Sequence, residues 1–209
     1  MSLWWLIEKG GVLIWPLLGC SVLGLAVFFE RLVRLFRAAS RDPGLVERVV
    51  EKVLTGDLEG ARRESAREGG AVGRMLYEGL SMGFTDLETV ERLLASAVER
   101  ELAGLSRYFG LLALIGNLAP LLGLLGTVIG MIKAFQTVEA LGERVTPSHL
   151  AGGIWEAMLT TAAGLTVAIP VMIGLSYLEG RLSRIENEME EAATLLLKAL
   201  KERSRHASH

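Results

Sequence analysis

Three long uncharged runs constrain this chain more than any other feature of its sequence. They cover residues 10–29, 108–132 and 157–178 and contain 20, 25 and 22 residues. A bilayer core of about 30 Å is crossed by about 20 apolar residues of helix. Each run is therefore long enough to form a transmembrane helix, which excludes an ordinary water-soluble domain.

The composition fits this interpretation because charge and hydrophobicity are segregated. The 209 residues have a mean hydropathy of +0.39, although 22% of them are charged. Nearly all of the charged residues lie between or after the uncharged runs. The net charge of −2 indicates no basic patch, so nucleic acid is not an expected partner. The predicted fold class is an all-α membrane protein with three transmembrane helices.

Basic residues close to the membrane predict the orientation of the chain. Residues 30–107 contain 13 Lys and Arg residues, whereas residues 133–156 contain only Lys133 and Arg144. Cytoplasmic loops carry an excess of Lys and Arg. We therefore expect residues 30–107 and the tail after the third run to be cytoplasmic, and the N-terminus and second loop to lie on the other side.

Apolar residues recur at helical spacing in the charged parts of the chain. Breaks at residues 55–57 and at residues 69–70 divide the first of these parts into short helices. A stripe from Val90 to Leu105 leads into the second run without a break, and another from Leu182 to Leu196 follows the third. The second and third spans are therefore predicted to extend into the cytoplasm as a long helical bundle. The last helix should run from Thr146, an N-cap residue followed by proline, to about Arg203.

Small residues form a row on one face of the second span and on one face of the third. Small residues in lipid allow two helices to approach closely. A threonine in such a row either forms an interhelical hydrogen bond or lines a hydrated path, and the spacing leaves both interpretations open. In the second span the row contains Pro120, Gly123, Gly126, Thr127 and Gly130. In the third span the predicted packing residues are Gly153, Ala157, Gly164, Ala168 and Pro170, with Thr161 in the middle of the row.

Glu156 is the only acidic or basic residue among the 29 positions from Leu150 to Leu178. A carboxylate at membrane depth costs a few kcal/mol and commonly marks an ion or proton pathway. The alternative is a hydrated side chain at the outer interface. Thr160 lies one helical turn after Glu156, whereas Thr161 lies about 140° round the helix from it.

Two segments of the chain resemble the signature segments of the ExbB/TolQ proton-channel family. They are PLLGLLGTVIGMI at residues 120–132 and EAMLTTAAGLTVAIP at residues 156–170. The order of three spans, a large first cytoplasmic loop and a helical tail extends the resemblance over the whole chain. The related flagellar stator subunits have four spans, so the resemblance is to the ExbB/TolQ branch, and within it to ExbB-type biopolymer transport subunits.

The resemblance implies a homopentamer in the inner membrane of a bacterium. The pentamer would surround the single spanning helices of an ExbD- or TolR-like partner and act on a TonB- or TolA-like protein. Thr127 and Thr161 match the threonines that face the pore of such proteins, and Glu156 matches a buried glutamate beside them. Thr160 is the reserve candidate. The translocated ion would be H⁺, and neither an enzymatic activity nor a cofactor or metal is expected.

The predicted organisation combines these observations. It consists of a periplasmic amphipathic N-terminus (1–9), a first span (10–29), a cytoplasmic helical region (30–107), a second span (108–133), a periplasmic loop (134–149), a third span (150–178) and a cytoplasmic helical tail (179–209). Membrane lipids are expected partners on every span.

Several alternatives stay open at this point. A TolQ-type subunit of a Tol-Pal envelope system has the same pattern, and so does a structural scaffold that only oligomerises through its small faces. Cys20 loosely resembles a lipoprotein cleavage site, but the apolar run continues for nine residues beyond it. A place inside a spanning helix is therefore the favoured prediction for Cys20.

Overall fold

The computed structural model describes residues 11–39, 42–81, 87–142 and 146–207, and within them the chain forms helices and no strand. The all-α prediction is confirmed. The predicted N-terminal anchor at residues 1–9 lies outside the described residues. The helices are α1 (Ile14–Ala38), α2 (Leu45–Leu54), α3 (Leu58–Arg67), α4 (Ala71–Ser81), α5 (Leu87–Ser106), α6 (Phe109–Leu141) and α7 (Pro147–Ala207).

Three stretches of the described helices are long and apolar enough to cross a membrane. They lie in α1, in the α5–α6 segment and in α7. The three predicted spans are therefore confirmed by length and composition. Cys20 lies inside α1, as the sequence favoured.

The chain divides into two compact units. The membrane unit contains the described residues up to Glu30 together with Tyr108–Ser176. The polar unit contains Arg31–Arg107 and the described residues from Tyr177 onward. In the membrane unit α1 packs against the other two spans, because Leu17 shares a buried cluster with Ala119 and Ala168.

The polar unit has a core of large aliphatic side chains. The breaks predicted at residues 55–57 and 69–70 are confirmed, and Gly56 supports the first of them with a φ of +88°. Asp57 then caps α3 by accepting a hydrogen bond of 2.8 Å from the amide of Gly60. The stripe predicted after the third span is buried, with Ile185, Met189, Ala192 and Leu196 in the core of this unit.

Two arginines are held tightly in the polar unit. Arg74 binds both carboxylate oxygens of Glu101, at 2.8 and 2.6 Å, and donates to the carbonyl of Gly69 at 2.6 Å. This bidentate pair joins α4 to α5 and raises the pKa of Arg74. Arg31 is only 1% exposed and donates to the carbonyl of Gly104 at 3.1 Å.

The helix predicted to run unbroken into the second span is interrupted. Helix α5 ends at Ser106, α6 begins at Phe109, and Tyr108 between them has a left-handed φ of +71°. The carbonyl of Tyr108 accepts from the amides of Leu111 and Leu112, so Tyr108 is the N-cap of a new helix. The apolar stripe predicted one helix because the side chains keep their helical spacing. That spacing does not reveal a single residue with a left-handed backbone.

Helix α6 extends beyond the predicted second span into residues 134–141, which the sequence had assigned to the connecting loop. Helix α6 continues to Leu141, where Gly142 ends it with a φ of +50°. Thr137, within the predicted loop, donates to the carbonyl of Lys133 at 2.9 Å as part of that helix. The last helix is confirmed, since α7 begins at Pro147 and continues for 61 residues, about 90 Å at 1.5 Å per residue.

Each of the two longest helices contains one proline beyond its first turn. Pro120 lies inside α6 and Pro170 inside α7. Proline has no amide hydrogen, so the carbonyls four residues earlier, at Gly116 and Thr166, lose their helical donors.

Candidate ion-pathway site

Helices α6 and α7 meet backbone to backbone through their small residues. A Cβ atom added to Gly123 would lie 3.0 Å from the carbonyl oxygen of Thr160, and one added to Gly164 would lie 2.5 Å from that of Ala119. A Cβ atom on Gly130 would lie 2.8 Å from the carbonyl oxygen of Gly153. A side chain at Gly130 or Gly164 would push the helices apart, and one at Gly123 would be tightly packed, so glycine permits this close helix pair.

The other predicted packing residues differ in their burial. Ala157 and Ala168 are buried, and Gly126 faces the side chain of Thr160. Pro120 is half-buried, but Pro170 is exposed and does not pack between the helices of a single chain.

The three threonines occupy different surroundings. Thr160 is 2% exposed, and its hydroxyl donates to the carbonyl of Ala157 at 2.8 Å. Thr161 is half-buried and donates to the carbonyl of Gly123 on α6 at 3.0 Å. Thr127 is half-buried and donates to the carbonyl of Leu124 at 2.6 Å. Thr160 is therefore the most buried of the three threonines, and Thr161 also lies in the contact between α6 and α7.

These hydrogen bonds define what the hydroxyls can do. Each hydroxyl proton is directed at a backbone carbonyl, which leaves lone pairs on the oxygen as acceptors. The hydrogen bond from Thr161 joins α7 to α6. Within one chain, Thr161 therefore acts as an interhelical hydrogen-bond donor. Only Thr127 and Thr161 retain exposed surface from which to contact a solvent-filled path or another helix.

Glu156 is bound to a partner that the sequence did not indicate. Its Oε1 atom lies 2.6 Å from Nζ of Lys133 on α6. The Glu156 side chain is 23% exposed and that of Lys133 is 51% exposed. Gly11 lies on the same carboxylate, since a Cβ atom there would overlap Oε1 of Glu156, and its φ is +66°.

Lys133 was not identified as a partner because it lies at the end of the predicted second span, just after the uncharged run. The contacts that place it beside Glu156 are those between the two small rows. Gly130 packs against Gly153 and Ala157, which places the next turn of α6 beside Glu156. The two residues are 23 positions apart in the sequence, and no local sequence pattern predicts a contact over that separation.

The described residues contain no group of three or more His, Cys, Asp and Glu side chains able to hold a metal ion. The chemistry of the site therefore consists of one paired carboxylate, three hydroxyls and the backbone carbonyls that they bind. His149, the only histidine before the last four residues, has a side chain outside the described set.

Three spans, a glycine-mediated helix pair and one carboxylate paired with a lysine of the neighbouring helix define a multi-pass α-helical membrane protein with a candidate ion path. The sequence profile of the MotA/TolQ/ExbB proton channel family matches residues 68–191, which include all of these pathway residues. The chain belongs to this family.

Curated relatives are similar over most of the chain. A putative biopolymer transport protein ExbB homolog of Methanothermobacter thermautotrophicus is 32% identical over 88% of this chain and 64% of its own length. A putative ExbB-like protein of Synechocystis is 39% identical over 77% of this chain and 64% of its own length. Biopolymer transport protein exbB1 of Vibrio cholerae is 34% identical over 85% of this chain and 79% of its own length. The chain therefore spans less than two thirds of the first two relatives.

Proposed function

We propose that this chain is the proton-channel and scaffold subunit of an inner-membrane motor of the ExbB type. The observation that carries the proposal is the α6–α7 pair, in which a half-buried Glu156 lies in the same small-residue contact as Thr161. Family membership supports protons as the ion. The names of the three relatives support the ExbB type over the TolQ type.

A partner with its own titrating group is part of the proposal. Within the three predicted spans Glu156 is the only carboxylate, and Lys133 neutralises it in this structure. One paired carboxylate supplies no multi-step relay for protons. A single-span ExbD- or TolR-like protein, carrying an aspartate in its helix, would supply the second group.

Oligomer formation agrees with the exposed surface of α6. Large apolar side chains on this helix must contact lipid or other helices, and a homopentamer around the partner would cover part of them. These residues are Leu121, Leu124, Leu125, Val128 and Ile132.

The proposed mechanism couples charge to movement. Protonation of the partner's aspartate removes a charge from a region lined by the hydroxyls of Thr127 and Thr161 and changes its attraction to them. Loss and gain of the proton would shift or rotate the partner. A TonB-like protein would transmit that movement to outer-membrane transport.

The site assignment is tested with three single variants, Thr127→Ala, Thr161→Ala and Glu156→Ala. Each is expected to abolish proton flux into vesicles that contain this chain and its single-span partner, while the assembly still forms by size-exclusion chromatography. Each removes the oxygen atoms that would contact the proton path or its counter-charge.

The matched control is Thr166→Ala, because Thr166 is exposed on α7 and its hydroxyl donates to the carbonyl of Ala162 at 2.7 Å. Its flux should equal that of the unmodified chain. Unchanged flux in all three site variants is the result that would remove Thr127, Thr161 and Glu156 from the pathway. Absence of flux in the unmodified complex would favour a structural scaffold.

A further inference from the structure

The ion pair between Lys133 and Glu156 bears on which cations can bind the Glu156 carboxylate. Nζ of Lys133 and Oε1 of Glu156 are 2.6 Å apart, the length of a charge-assisted hydrogen bond. The ammonium thus occupies a position on the carboxylate that a bound metal cation would otherwise take. Both residues lie in the membrane unit, one on each helix of the candidate site.

A carboxylate in this place needs a positive partner. An isolated charge in an apolar environment is costly, so a carboxylate there takes up a proton, a metal ion or an ammonium group. Here the ammonium belongs to the protein, and it lies at the contact of Gly130 with Gly153 and Ala157 that fixes the register of α6 against α7. The site is therefore neutral without any ion from solution.

The Glu156 carboxylate is already occupied at one of its two oxygen atoms. A hard cation takes several oxygen ligands at once, and here Lys133 holds Oε1 of the carboxylate. Gly11 also lies against this oxygen atom of Glu156. A proton needs one acceptor only, so it is not excluded by the same crowding.

We propose that Lys133 is a specificity-determining residue that keeps metal cations off Glu156 and makes the pathway selective for protons over Na⁺. The ammonium occupies the carboxylate and repels a metal cation that approaches it. The inference rests on the proposed function for its transport consequence. Its binding consequence, that Na⁺ does not occupy Glu156 while Lys133 is present, is measured on this chain alone.

The binding experiment compares thermal unfolding of the purified full chain in NaCl and in choline chloride at equal ionic strength, at pH 8. The unmodified chain should show no difference between the two salts. Lys133→Met should melt about 2–4 °C higher in NaCl, the shift expected when Na⁺ exceeds its dissociation constant severalfold. The double variant Lys133→Met with Glu156→Gln should lose this difference, because the carboxylate is gone.

Two further variants separate a charge effect from a structural one. Lys133→Arg keeps the positive charge and should behave as the unmodified chain in both salts. Lys198→Met removes an exposed lysine from the polar unit and should also show no salt preference. An Na⁺ shift in the unmodified chain, or none in Lys133→Met, overturns the proposal.

The transport experiment uses the complex with its single-span partner in vesicles, with either a proton or an Na⁺ gradient. We expect proton flux that is independent of Na⁺ in the unmodified complex and in Lys133→Arg, and proton flux inhibited by Na⁺ in Lys133→Met. Flux that requires Na⁺ in the unmodified complex contradicts the role of Lys133 but leaves an ion-driven motor in place. Flux of neither ion contradicts the proposed function itself.

Discussion

Between α6 and α7 the membrane unit buries glycine and alanine, whereas the polar unit buries leucine, methionine and isoleucine. In the membrane unit Leu165 and Ile169 are exposed, and Gly164 and Ala168 between and beside them are buried. In the polar unit the buried core consists mainly of large apolar side chains, with Arg31 as a buried charged residue. This difference follows from the surrounding solvent. Lipid is as apolar as leucine, so burying a leucine between helices brings no hydrophobic gain in the membrane, whereas it does in water.

Helix α7 shows both patterns along one uninterrupted backbone. Its membrane part buries Ala157, Gly164 and Ala168, and its later part buries Met189 and Leu196. Helix propensity is therefore not what distinguishes the two units. The contacts in one depend on close backbone approach, and those in the other on the area of apolar surface removed from water.

The largest effect expected from this comparison concerns leucine. Leu196 is fully buried in the polar unit, so Leu196→Ala should lower the free energy of unfolding by about 2–5 kcal/mol. Leu165→Ala in the membrane unit should lower it by much less, since Leu165 is exposed there. Thermal unfolding in detergent measures both. Equal losses would show that the membrane unit also depends on burial of large side chains.

A smaller loss of stability is expected when a glycine of the α6–α7 contact is enlarged. Gly164→Ala places a methyl group 2.5 Å from the carbonyl oxygen of Ala119, and should destabilise the chain by about 1–3 kcal/mol. Gly152→Ala on the same helix meets no atom within 4 Å and should not destabilise it. If the two variants unfold at the same temperature, close approach of α6 and α7 contributes nothing to stability.

The smallest effect concerns an exposed ion pair of the polar unit. Hydrogen bonds from Arg48 and from the amide of Gly44 hold the pKa of Asp42 below its usual value of 3.8. The stability from this pair is present above pH 3.8 and is lost as the pH falls through the lowered pKa. In Arg48→Gln the pKa of Asp42 should move back toward 3.8, as followed by carbon NMR of the carboxyl group. An unchanged midpoint would show that Arg48 does not bind Asp42 in solution.

The sequence predicted the features that depend on local pattern. Hydrophobic runs located the spans, the Thr146-Pro147 dipeptide located the start of α7, and glycine-containing breaks separated the short helices. It failed at Tyr108, because nothing in an apolar stripe encodes a left-handed backbone at a tyrosine. A non-glycine residue in this conformation is costly, and it persists only where the surrounding structure requires it.

Two features of the site could not be decided from the sequence, and they have a common cause. Successive residues of a helix differ by 100°, so a broad small face includes both Thr160 and Thr161, and only the position of α6 shows which is covered. The pairing of Lys133 with Glu156 likewise depends on how far α6 slides along α7. Both features belong to the register between two helices, and a single sequence contains no direct measure of it.

The prolines inside α6 and α7 have a mechanical consequence. Loss of one backbone hydrogen bond lowers the bending stiffness of a helix at one place, here between Gly116 and Pro120 and between Thr166 and Pro170. The remaining turns keep their bonds and stay rigid. When the spans are loaded by a force, elastic deformation should therefore concentrate at these two points.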